Sequence, residues 1–173
     1  MTTIAFDGRY LAADGRMTRG GIICSSTVKK TRVIKTVIRG EETEVIIGGA
    51  GSWNNIYAVI EWMKNNDVFN TDPDLQRPVF PDTNQEQPGY LDHDVFFITQ
   101  DGEVYCLDPF CRPAPYGAPF AEGSGFPFAQ TALTLGQSAV EAIRTAMKLD
   151  TGTGGQITVF DVDEWKWADA NDF

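Results

Sequence analysis

The sequence predicts an α+β fold: two antiparallel sheets sandwiched between layers of helices, a four-layer αββα arrangement. Three observations predict it. Short strand-like runs are joined by turn residues into hairpins, which makes neighbouring strands antiparallel. Helical patterns are few and fall between groups of strands rather than after each one, which argues against a doubly wound sheet. The chain has 173 residues, 42% of them hydrophobic, enough for one domain (1–173) with a sizeable core.

The elements follow in order. Thr3 to Asp7 and Tyr10 to Ala13 read as strands around the turn pair Asp7-Gly8. Gly21 to Val28, Arg32 to Ile38 and Glu44 to Ile47 are further strand-like runs, and Gly48-Gly49-Ala50-Gly51 breaks the pattern. Ser52 is a candidate N-cap for a helix with Trp53, Ile56, Tyr57, Ile60 and Met63 on one face, a core-packing stripe. Residues 66 to 92 carry Pro73, Pro78, Pro81 and Pro88 among Asn, Asp and Gln and read as a long loop. Asp94 to Thr99 and Glu103 to Leu107 form a second hairpin around Gln100-Asp101-Gly102, followed by a Pro-rich loop over 109 to 118. A helix begins near Pro127 and ends at Gly136. A capping box, Ser138 to Glu141, opens another with Val140, Ile143 and Met147 on one face. Gly152 to Gly155 is a tight loop before a last strand, Gln156 to Val162.

Composition excludes several classes. A net charge of −10 repels phosphate backbones, so nucleic acid is not an expected partner. No apolar run is long enough to span a membrane, and no secretory signal pattern opens the chain, so no membrane is expected and the location is read as cytoplasmic. Cys24, Cys106 and Cys111 have no metal-ligand spacing and read as reduced thiols. His93 is the only histidine, which argues against a His-based triad or a His-rich metal site.

A Ser or Thr hydroxyl needs a base, and with one His available a neutral amine is the substitute. An N-terminal Thr supplies both in one residue, since an α-amine with a pKa of about 8 is partly neutral at physiological pH. Thr2 meets that requirement once Met1 is removed, and Met before a small residue is normally trimmed. An amine base benefits from a neighbouring cation held by a carboxylate, and Asp14 and Lys30 stand at the ends of predicted strands. The Gly48 to Gly51 run offers a backbone N–H to an oxyanion. Each feature alone also suits a surface salt bridge, a turn or a cap.

Taken in order, these residues resemble the proteasome β-subunit and HslV-type peptidases, a family of N-terminal nucleophile hydrolases. The resemblance rests on Thr2-Thr3-Ile4, Ala12-Ala13-Asp14 with Thr18-Arg19-Gly20, Val28-Lys29-Lys30, Ala50-Gly51, Gly123-Ser124-Gly125-Phe126-Pro127-Phe128-Ala129-Gln130, and Asp150-Thr151-Gly152-Thr153-Gly154-Gly155, with Thr153 where proteasome subunits carry Ser. It implies a threonine-type endopeptidase that hydrolyses peptide bonds through an acyl-enzyme on Thr2. Lys30 would tune the amine, Asp14 hold Lys30, the Gly51 N–H bind the oxyanion, and Ser124, Asp150 and Thr153 orient the N-terminus. Met17, Val28 and Arg32 would flank a hydrophobic pocket for the residue before the cut. No cofactor is required, although the family's late loop implies carbonyls of Thr153, Gln156 and Val159 around a monovalent cation such as Na+. A peptide or unfolded-protein substrate, a homo-oligomer and an ATP-dependent unfoldase are the partners it points to.

The sequence departs from the family at 66–92, where the family's second long helix would serve assembly, so the resemblance implies a four-layer sandwich with a reduced first helical layer. The expected oligomer is therefore smaller or simpler than a double ring. Two rivals stay open. A non-catalytic assembly subunit of the same fold predicts that losing the Thr2 hydroxyl changes nothing. An amidase acting on a small-molecule amide predicts a deep closed pocket and no peptide cleavage.

Overall fold

Asp7 turns the chain between the first two strands. Its carboxylate accepts the backbone N–H groups of Arg9 and Tyr10 at 3.0 and 2.8 Å, and Gly8 takes φ 107°. The computed structural model describes residues 2–78 and 94–173, and these form a mixed α+β chain with three sheets and three α-helices. The strands and helices are β1 (Thr3–Phe6), β2 (Tyr10–Ala13), β3 (Met17–Arg19), β4 (Ile22–Ser25), β5 (Thr31–Ile38), β6 (Glu41–Ala50), α1 (Trp53–Asn65), β7 (Asp94–Thr99), β8 (Val104–Leu107), β9 (Pro113–Pro115), β10 (Phe120–Gly123), α2 (Phe126–Thr134), α3 (Ala139–Leu149), β11 (Thr158–Asp161) and β12 (Lys166–Ala168), with a 3-10 turn at Ala170–Asp172.

The chain divides into two compact units. One comprises the residues up to Thr31 together with Gly117–Phe173; the other is Arg32–Tyr116. The first unit holds a five-stranded antiparallel sheet in the order β10-β1-β2-β11-β12 and the two-stranded ribbon β3-β4. Its helices α2 and α3 cover one face. Ala5, Ala12, Ala121 and Val159 of the sheet meet Ala129, Ala132, Ala142, Ile143 and Ala146. Alanine on both sides lets helix and sheet approach closely, while Val140 and Ile143, fully buried, each contribute about 1.5–3 kcal/mol. Half of the predicted capping box forms: Ser138 accepts from the Glu141 N–H at 3.3 Å while the Glu141 carboxylate goes to Arg144, and Asp7 adds a second cap by accepting from the Ala139 N–H at 2.9 Å.

The second unit holds the antiparallel sheet β5-β6-β7-β8-β9, with α1 on one face. Ile56, Val59, Ile60 and Met63 pack there with Val45, Ile47, Val95 and Phe97. Tyr57, predicted on the same face, is instead exposed beneath the Arg32 guanidinium, 4.7 Å from its ring centroid. Ser52 stands at the N-cap of α1 but its side chain makes no capping bond.

Most remaining differences from the predicted elements concern edges. β10 and β12 are the outer strands of the first sheet and β9 an outer strand of the second, and none of the three is predicted. At three or four residues they are too short to show alternation, and β9 carries two prolines, which an edge tolerates because one side needs no donor. The short β3, paired only with β4, is missed for the same reason. β6 does not stop at Ile47. It runs through Gly48, Gly49 and Ala50 because β7 pairs with it throughout, setting Phe96 and Val95 opposite the glycines. The predicted loop 66–92 extends beyond residue 78, and its remainder lies outside the described residues, as do His93 and Met1. Among the described residues no helix is long and apolar enough to cross a membrane.

Candidate active site

Strand register assembles a polar cluster in the first unit. Thr3 pairs with Gly123, Ile4 with Ala13, and Thr158 with Ala13. The residues just beyond those pairs, namely Thr2, Asp14, Ser124 and the 150–157 loop, are thereby brought to one end of the sheet. A one-residue slip in any of the three ladders would turn these side chains to the wrong face.

Asp14 is the hub. Its side chain is fully buried and accepts four hydrogen bonds: Oδ1 takes Lys30 Nζ at 2.6 Å and the Thr3 N–H at 2.8 Å, while Oδ2 takes the Gly154 N–H at 2.9 Å and the Arg16 N–H at 3.2 Å. Lys30 is equally shielded, its side chain 1% exposed. Burial lowers its pKa below the ordinary lysine range, and the Asp14 carboxylate offsets only part of that. The Val28-Lys29-Lys30 run sends its two lysines to different places: Lys29 lies over the Trp167 ring, 5.5 Å from its centroid, and Lys30 goes to Asp14. Backbone contacts direct that turn. Ser26 O accepts from the Gln156 N–H at 2.7 Å and Gly15 O from the Val28 N–H at 3.0 Å, and neither Gly15 nor Gly155 has room for a Cβ.

A second chain of hydrogen bonds runs through the hydroxyls. Thr153 donates to Asp150 Oδ2 at 2.5 Å, and Ser124 donates to the same oxygen at 2.9 Å. The Thr153 hydrogen is thus spent, so across the 2.5 Å contact between the two threonine hydroxyls it is Thr3 that donates. Thr3 Oγ1 in turn accepts from the Gly125 N–H at 3.1 Å. The polarity is fixed from end to end: Gly125 N–H to Thr3, Thr3 to Thr153, Thr153 to the Asp150 carboxylate. Burial draws the Asp150 pKa upward, but bonds from Thr153, Ser124 and the Gly152 N–H outweigh it and hold the group below the usual carboxylate value.

Thr2 itself is 4% exposed. Its carbonyl is 3.4 Å from Ser124 Oγ, but the Ser124 hydrogen goes to the nearer Asp150. Gly123 has φ 94°, and a Cβ there would lie 1.8 Å from that carbonyl. Gly125 is tight in a different way, since a Cβ would lie 2.3 Å from Thr3 Oγ1 and 2.8 Å from Thr153 Oγ1. Gly125→Ala is expected to cost about 1–3 kcal/mol in a urea titration; wild-type stability in that variant would contradict the contact.

The first unit therefore gathers Thr2, Asp14, Lys30, Ser124, Asp150 and Thr153. Thr153 reaches Thr3 rather than Thr2, so the orienting role expected of it passes through a residue the sequence did not single out. The Thr2-Thr3 pair was the available signal. Gly51 belongs to the second unit, between β6 and α1, with φ 116°. Met17 and Val28 lie in the first unit, Met17 exposed in β3 and Val28 half-buried; Arg32 lies in the second, donating to the Tyr57 hydroxyl at 2.5 Å. The implied cation carbonyls do not make a convincing set. Val159 is inside β11, paired with both Ala12 and Ala168, so its carbonyl is committed to a ladder, and only Thr153 and Gln156 lie in the loop. Among the described residues no cluster of His, Cys, Asp and Glu suits a metal. Cys24, Cys106 and Cys111 are in no disulfide, and burial pushes the Cys111 thiol up to about 12.

Searched against family models and against curated proteins, the chain has no match in either.

Proposed function

We propose that the chain is a threonine-type N-terminal nucleophile hydrolase that cleaves peptide bonds, active once Met1 has been removed. One observation carries this reading: a single oxygen of a fully buried carboxylate, Asp14 Oδ1, accepts both the Lys30 ammonium and the N–H of the residue next to Thr2. A buried ion pair tied to the backbone of residue 3 is costly for stability alone. It is useful beside an amine that must be neutral to act as a base.

In this mechanism Thr2 Oγ attacks the substrate carbonyl carbon while the Thr2 α-amine, directly or through a water, takes the hydroxyl proton. Collapse of the tetrahedral intermediate breaks the C–N bond, and the departing amine leaves with that proton. Water then hydrolyses the ester on Thr2 and restores the hydroxyl. Lys30 keeps a positive charge near the amine and Asp14 fixes Lys30. The Thr3–Thr153–Asp150 chain and Ser124 hold the backbone at the start of β1. No step passes through a metal ion.

The four-layer αββα sandwich goes with this reading. Within each unit an antiparallel sheet carries helices on one face, α2 and α3 in the first and α1 in the second, which is what that arrangement requires of each half. A peptide or unfolded substrate, a hydrophobic pocket near Met17 and Val28, a homo-oligomer and an unfoldase partner belong to the same proposal. Cleavage of short peptides only after acidic residues would count against the pocket.

The test is the intact mass of the protein expressed in cells, before and after an electrophilic inhibitor of N-terminal threonines. Loss of Met1 and a single adduct on Thr2 are expected. A retained Met1, or a free Thr2 that never reacts, sinks the proposal and favours a non-catalytic assembly subunit. The pH profile gives a second check. The amine must be neutral, so kcat/KM rises through about pH 8. Lys30 must be charged, and its lowered pKa brings the alkaline fall below the ordinary lysine range. A plateau reaching through that range would contradict the role of Lys30.

A further inference from the structure

We infer that Arg16 is a positioning residue of this site, a clamp that pins the 150–154 loop onto Asp14 and so sets the Asp150–Thr153–Thr3 chain against Lys30. The inference rests on the peptidase reading for its functional meaning. Three contacts tie the 14–16 turn to the loop: the Gly15 N–H donates to Gly154 O at 3.0 Å, the Gly154 N–H to Asp14 Oδ2 at 2.9 Å, and Arg16 Nη1 to Thr151 O at 2.9 Å. The guanidinium is also laid across Gly154. A Cβ at residue 154 would stand 2.4 Å from Arg16 Cζ, 2.5 Å from Nη2 and 2.6 Å from Nε, so the missing side chain is the seat of the arginine. The seat has a cost, because Arg16 Nε is buried without a hydrogen-bond partner. An orphaned donor of this kind calls for an explanation, and holding the loop supplies one. Lys30 has Asp14 and Asp150 on one side of its charge balance and Arg16 on the other, and the arginine adds to the lowering of its pKa.

The test uses the full chain with Arg16→Met, Arg16→Lys and Gly154→Ala. In R16M the Thr153 amide is expected to exchange about tenfold faster or more, the scale of one lost charge-assisted hydrogen bond. The Lys30 titration midpoint, followed by NMR of its ε-carbon, is expected to move up in R16M and to stay in place in R16K, which keeps the charge. Gly154→Ala fills the seat, so it is expected to speed the same exchange in the wild-type background and to add little in the R16M background. An unmoved Lys30 midpoint in R16M, or a G154A effect that persists in R16M, overturns the clamp. None of these readouts needs activity. A Thr2 inert to electrophiles in the wild type would therefore sink the peptidase reading while leaving the clamp to be decided on its own.

Discussion

Thr2→Ala is expected to leave a folded chain that hydrolyses no peptide and forms no adduct with an electrophile, a loss of at least about a thousandfold in kcat/KM. The expected effect is large because in the proposed mechanism the hydroxyl oxygen forms the new bond, and no neighbour is placed to replace it. Ser124, Thr3 and Thr153 have their hydroxyls engaged with Asp150 or with one another, and none carries a free amine. Stability is expected to change little. The side chain is small, and the hydrogen-bond chain through Thr3, Thr153 and Asp150 does not pass through the Thr2 hydroxyl. Activity at the wild-type level in this variant would remove the nucleophile and leave the assembly-subunit reading in its place. Thr2→Ser separates chemistry from packing, since it keeps a hydroxyl and is expected to retain part of the rate.

The largest effect on stability is expected at Asp14. Asp14→Ala leaves the Lys30 ammonium buried without its carboxylate and strips the acceptor from three backbone N–H groups, those of Thr3, Arg16 and Gly154. Breaking a buried pair in this way costs about 3–5 kcal/mol. Asparagine is not a mild substitute. All four partners of Asp14 are donors, so an amide NH2 must face at least one of them. Lys30→Met is expected to cost less, because Asp14 keeps its three backbone donors. The double variant D14A/K30M is expected to lose clearly less than the two single losses together, since the second change removes the charge that the first left stranded. Urea titrations of the four chains measure this. Additivity within about 0.5 kcal/mol would mean that the two groups do not depend on each other.

How much of this was legible in the sequence depended on whether a residue announces its own environment. Turn and cap residues do. Asp7-Gly8, Ser138 and Gly136 are found where turn and cap chemistry puts them, with Gly136 at φ 86° after α2. Asp14 and Lys30 were legible for a related reason, since each stands at the end of a predicted strand, where a charged side chain is not needed for the core; Ser124, Asp150 and Thr153 alone read as a cap and a turn, and only the family resemblance singled them out. What could not be read depends on register. Thr3 looks like any β-branched residue opening a strand, and only its pairing opposite Gly123 brings its hydroxyl to Thr153 and Gly125. Arg16 looks like a surface arginine until Gly154 is seen beneath it. The edge strands β9, β10 and β12 carry too few residues for a pattern, and the glycines of β6 are held in the sheet by the bulk of β7.

The unit that contains the site is discontinuous: the chain leaves it after Thr31 and returns at Gly117. During synthesis this acts as a timing device. Along the chain Thr2, Asp14 and Lys30 are made before the other unit, Arg32–Tyr116, and Ser124 and the 150–155 loop only after it. Until they emerge, Asp14 lacks its Gly154 partner and Thr3 lacks both of its hydroxyl-side neighbours. The Thr2–Asp14–Lys30 part of the cluster is therefore made before the part that completes it, and a chain stopped short of the 150–155 loop has the buried ion pair's residues without the Gly154 and Thr153 partners.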